Sequence, residues 1–88
     1  MEFLWTDWNV EHIGRHGVGP EEAEAVVVEA KSPYPRSRPD RKWLVWGPTA
    51  EGKLLQVVFV RAHGDAVFVI HARPLTDAEK RRHRRSGR

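Results

Sequence analysis

The sequence predicts an α+β domain: two helices, then an antiparallel meander of three or four strands, then a third helix. Three observations predict it. Pro20 opens a segment in which Ala23, Val26, Val27 and Ala30 recur at helical spacing. Residues 42–46, 54–61 and 66–73 are β-rich runs separated by short turn sequences. Thr76-Asp77-Ala78-Glu79 then has the spacing of a helix capping box. With 88 residues the chain is one domain, expected to span 1–85, with Ser86-Gly87-Arg88 as a frayed tail.

The first helix is expected over residues 7–16. Val10 and Ile13 give it a narrow apolar side, and Gly17 suits a left-handed residue after its end. The second starts at Pro20, whose missing N–H would have no helical partner there anyway. Glu21 and Glu22 complement the positive end of its dipole. Residues 32–40 hold Pro33, Pro35 and Pro39, which exclude a helix or a central strand. They predict a basic loop with room for a short edge strand near its start. In the next run Trp43 and Val45 share one face, and Lys42, Leu44 and Trp46 the other. Residues 54–61 are nearly all apolar, as in a central strand covered on both faces. The turns at 48–52 and 62–65 imply consecutive hairpins, and a fourth strand would come from the loop or the N-terminus.

The overall charge of +3 is unevenly spread. Residues 1–30 carry seven acids against one Arg, a net of −6, and residues 31–88 carry fourteen Lys and Arg against five acids, a net of +9. A polarised basic surface attracts polyanions by counterion release. A basic tail on a soluble protein is the plainer reading of the same numbers. The chain has no cysteine, which excludes disulfides, thiolate metal sites and cysteine nucleophiles and fits a cytoplasmic protein. The N-terminus lacks the pattern of a signal peptide, and no apolar run approaches the roughly 20 residues of a membrane span.

The chemistry concentrates toward the C-terminus. His71 and Arg73, two apart on a strand, point the same way and lead into a cationic helix. Metal-independent RNA cleavage needs a base for the 2′-OH, a cation for the phosphate and an acid for the leaving 5′-oxygen. Histidine serves either proton role near neutral pH, and the arginine fork binds two phosphate oxygens at once. His71 is a candidate base or acid, or else a half-buried His bonded to backbone. Arg73 is a candidate phosphate ligand, or else half of an ion pair at a strand end. His83 is a candidate proton-transfer group, or else a solvated residue in a charge run. Arg61 would join Arg73 if the strands pair in that register. Arg36, Arg38, Arg41, Arg81, Arg82 and Arg85 are candidate RNA contacts. His12 and His16, four apart on one helical face, are also candidate RNA contacts, though His16 equally suits the negative end of the helix. They lack a third ligand and the His-Glu-x-x-His pattern, so no metal site and no cofactor is expected. Trp5, Trp8, Trp43 and Trp46 can serve as core, as partner contacts or as stacking platforms for unpaired bases. Trp43 and Trp46 face opposite ways.

Four stretches in order, Trp5-Thr6-Asp7-Trp8-Asn9, residues 16–23 (His-Gly-Val-Gly-Pro-Glu-Glu-Ala), Val69-Ile70-His71-Ala72-Arg73 and Glu79-Lys80-Arg81-Arg82-His83, resemble the BrnT-type toxins. These are small bacterial ribonucleases of type II toxin–antitoxin pairs with a RelE-like fold. The resemblance implies a cytoplasmic hydrolase that cleaves mRNA. It also implies neutralisation by a cognate antitoxin, of which the ribbon-helix-helix kind is one form, in a homodimer or a toxin–antitoxin hetero-oligomer. His71 stands where the family usually has Ser, and His83 where it usually has Tyr. A His in place of Tyr either keeps proton-transfer chemistry or marks an inactive copy. The alternative function is a non-catalytic basic module that binds nucleic acid or an acidic partner protein.

Overall fold

The computed structural model describes residues 1–86. Their elements are α1 (Asp7–Gly14), α2 (Pro20–Val28), β1 (Arg36–Arg38), β2 (Lys42–Pro48), β3 (Leu54–Arg61), β4 (Val67–Pro74) and α3 (Asp77–Ser86), with a 3-10 turn at His63–Asp65. The strands form one antiparallel sheet in the order β1-β2-β3-β4, so the α+β meander is as predicted. Of the expected frayed tail, Ser86 closes α3, and Gly87 and Arg88 lie outside the described residues.

Each helix start has a chemical cause. Thr6 and Asn9 cap α1 reciprocally, the Thr6 N–H donating to Asn9 Oδ1 at 2.7 Å. Asn9 is fully buried, and its amide also donates to the Leu4 carbonyl at 3.1 Å, so its burial leaves that donor satisfied. Helix α1 ends at Gly14, two residues before the expected boundary, and His16 sits in the turn that follows. Gly17 there takes φ 75°, the left-handed conformation anticipated. At α2, Pro20 occupies the first turn and the Gly19 N–H donates to Glu22 Oε1. At α3 the capping box forms as expected: the Thr76 N–H donates to Glu79 Oε1 at 2.8 Å, and the Glu79 N–H to Thr76 Oγ1 at 3.2 Å.

Helices α1 and α2 cover one face of the sheet, α1 over β4 and α2 over β2 and β3. Between them lies the core, with Ile13, Val26, Val45, Leu55, Val57, Phe59, Val67 and Val69 all nearly inaccessible. Trp5 and Trp43 pack against it. The expectation that β3 is covered on both faces needs correction. Its residues alternate between buried and half-buried, the half-buried ones facing away from the core.

The edge strand arises later in the proline loop than expected, at Arg36–Arg38, and pairs with the start of β2. Its hairpin turns through Asp40 and Arg41, both left-handed at φ 64° and 60°. The N-terminus adds only a single parallel bridge, Phe3 to Val67.

One irregularity sets the site. Val58 pairs with His71, and Phe59 with Val69, so Ile70 is an extra residue in β4. Simple alternation would place His71 and Arg73 on the core face with Val67 and Val69. The bulge moves them to the opposite face, beside Val58 and Gln56.

Candidate nucleic-acid interface

The face of the sheet away from α1 and α2 carries two cross-strand rows. One is Trp46–Gln56–Arg73, the other Arg36–Leu44–Val58–His71. Gln56 links the first row. Its Oε1 accepts from Trp46 Nε1 at 3.0 Å and from Arg73 Nη2 at 3.4 Å. Helix α3 lies over one end of this face, with the Arg82 guanidinium 5.5 Å from the Trp46 ring centre. Tyr34, Trp46 and His83 form a ring cluster, each centre 6.1 to 6.3 Å from the others.

Two adjoining hollows lie on the face, and a third opens beside them toward the end of α2. A groove of about 690 Å³ has Arg36 and Arg38 of β1 and Arg82 and Arg85 of α3 on its sides, with Leu44, Trp46 and Gln56 beneath and Tyr34 at one end. It shares Tyr34 and Trp46 with a cleft of about 540 Å³ that also includes His83. It shares Arg38 and Leu44 with a hollow of about 490 Å³ lined also by Pro39, Asp40, Lys42, Val58, Ile70 and His71. Burial pushes the Tyr34 phenol pKa up, against the pull of Arg36, so its hydroxyl stays protonated at neutral pH.

His71 is half-buried. Burial, reinforced by the like charges of Arg73, His16 and His12, holds its pKa below the usual histidine range. It is therefore mainly neutral at pH 7, the form that accepts a proton. The His16 ring lies edge-on to it, centres 5.7 Å apart. His12 lies four residues earlier, within α1, stacked on the half-exposed Trp8 with centres 4.8 Å apart.

Arg73 is held differently from a waiting phosphate ligand. Its fork meets both oxygens of Glu79, at 2.8 and 2.9 Å, and Nη1 also donates to the Pro74 carbonyl. The Arg73 guanidinium, with the Thr76 N–H, lowers the Glu79 carboxyl to about 2.

The remaining candidates divide by location. Arg61 does not join Arg73. It pairs with Val67, five residues along β3 from the Gln56–Arg73 pair. That is about 17 Å at strand spacing, and on the opposite face. Its guanidinium lies over Phe59 and donates to the Asp65 carbonyl. His71 and His83 are not brought together either. His83 packs beside Trp46 on β2, and β4 lies two strands away, about 10 Å in strand spacing alone. Arg41 is at the tip of the β1–β2 hairpin, and Arg81 is exposed on α3 with Arg84 and Arg85.

Sequence reasoning missed Tyr34, Lys42 and Gln56. The alternation of β2 already placed Lys42 with Trp46, but the roles of Tyr34 and Gln56 depend on register. Among the described residues no group of three His, Cys, Asp or Glu could hold a metal ion, and no helix is long and apolar enough to cross a membrane. Compared with models of known protein families, with curated proteins and with solved structures, the chain matches none.

Proposed function

We propose that the open face of the sheet binds single-stranded RNA and that the protein cleaves it, as an endoribonuclease toxin of the BrnT type. The carrying observation is the groove with arginines on both sides and Trp46 beneath. Guanidinium groups neutralise the phosphates, and the aromatic floor takes unpaired bases, which a duplex would keep stacked.

His71 is the base of this reading. It removes the 2′-OH proton, the 2′-oxygen bonds to phosphorus, and the bond to the 5′-oxygen breaks. His16, with its ring beside His71, supplies the proton to that leaving oxygen. Arg38 and Lys42, which share a hollow with His71, face the phosphate charge in place of the occupied Arg73. The reaction leaves a 2′,3′-cyclic phosphate and needs neither metal nor cofactor. mRNA as substrate places the protein in the bacterial cytoplasm, and a toxin needs a cognate antitoxin to hold it silent. A homodimer or a toxin–antitoxin hetero-oligomer goes with that reading.

A second reading is favoured by the Arg73–Glu79 pair: an RNA-binding module without cleavage, since the arginine nearest His71 in sequence is already satisfied. Inducible expression in a bacterium separates the two. Growth arrest that disappears in His71→Ala, with the variant still folded and RNA-bound, supports the toxin. Undisturbed growth with RNA binding retained supports the module.

A further inference from the structure

The cleft that adjoins the groove has a chemical character of its own. Its wall is the ring cluster of Tyr34, Trp46 and His83, and its volume of about 540 Å³ is in the range of small-molecule sites. Unlike the groove, it is lined by no arginine among the described residues. Among the described residues two charged side chains line it, Glu29 just after α2 and Lys31 two positions on. An aromatic wall with one anion and one cation is suited to a flat heterocycle that presents both donors and acceptors.

We infer that this cleft receives one unpaired guanine base of the bound RNA. The inference rests on the groove being the RNA site, because the groove would carry the phosphates to either side of that base. The hydrogen-bonding edge of guanine reads acceptor, donor, donor. The Lys31 ammonium donates to O6, and the Glu29 carboxylate accepts from N1–H and the 2-amino group. Adenine and cytosine each present a bare ring nitrogen where guanine has N1–H, so the carboxylate meets a lone pair. Uracil has one donor between two acceptors and leaves one carboxylate oxygen against a carbonyl. The base stacks on the ring wall, which supplies affinity without choosing among bases. Glu29 and Lys31 supply the choice.

The test is binding of four 2′-O-methyl pentanucleotides, UUGUU, UUAUU, UUCUU and UUUUU, which resist attack by the 2′-oxygen. UUGUU is expected to bind at least about tenfold tighter than UUAUU or UUCUU. Glu29→Gln should remove that preference while UUUUU binds at least as well as to the wild type, because the change relieves the clash with the uracil carbonyl and, at an exposed residue, keeps the fold. Equal binding of all four, or a preference that survives Glu29→Gln, overturns the guanine site and leaves the RNA groove standing. Failure of all four to bind overturns both.

Discussion

Arg73 and Glu79 form a two-pronged ion pair that fastens the end of β4 to the first turn of α3. The same carboxylate caps the helix by accepting from the Thr76 N–H. Glu79 thus serves as helix cap and strand anchor together, and both partners are largely covered, at 14 % and 27 % side-chain exposure.

Glu79→Ala should cost about 2 kcal/mol, from a lost cap and a lost charge-assisted pair. The effect depends on pH in a stated direction. The folded pKa, about 2, lies below the ordinary 4.5. The stabilisation is therefore complete above pH 4.5 and lost as pH falls toward 2. Denaturant titrations at pH 7 and pH 2 check it: the wild-type advantage over Glu79→Ala should shrink in acid. An equal advantage at both would contradict the pairing.

His71 acts in the same direction, at higher pH. Its folded pKa is lowered, so the unfolded chain binds the proton more readily. Stability should fall as pH drops below 6.5, and the penalty is complete once pH passes below the folded value. NMR titration of the ring protons gives the midpoint directly, expected below 6.5. The proposed cleavage should decline in acid, at the His71 midpoint.

The assignment of the proton donor separates two histidines. His16→Gln should lower RNA cleavage by about 10²–10⁴-fold. His83→Gln should weaken RNA binding and leave the single-turnover rate at saturation nearly intact. The reverse pattern would move the reaction to the cleft beside Trp46.

Much of this architecture was legible in the chain. The caps at Pro20 and Thr76 need only local chemistry, and the alternation of Trp43 and Trp46 follows from strand geometry. The Ile70 bulge was not legible, because an extra residue in a ladder has no signature of its own in an apolar run. The same applies to Arg61. Its distance from Arg73 depends on register, which the sequence pattern leaves open. The pairing of Arg73 with Glu79 was open to inference from the capping box, since that box fixes where the carboxylate points.

The hairpin tip offers a test of local strain. Arg41 holds a left-handed conformation without being glycine, at φ 60°. Arg41→Gly should raise stability by up to about 1 kcal/mol, less the chain entropy that glycine adds to the unfolded state. Its RNA affinity should change little beside that of Arg82→Ala, since Arg41 borders none of the three hollows. Thermal melts and RNA titrations on both variants provide the comparison.

The most direct measurement is the salt dependence of single-stranded RNA affinity for the wild type and for the double variant Arg36→Ala/Arg82→Ala. The two residues come from β1 and α3, opposite sides of one groove. If RNA lies between them, each loss should flatten the log–log slope by about 0.7, and affinity should fall at every salt concentration. A double variant with wild-type affinity and slope would show that RNA does not lie across the open face of the sheet.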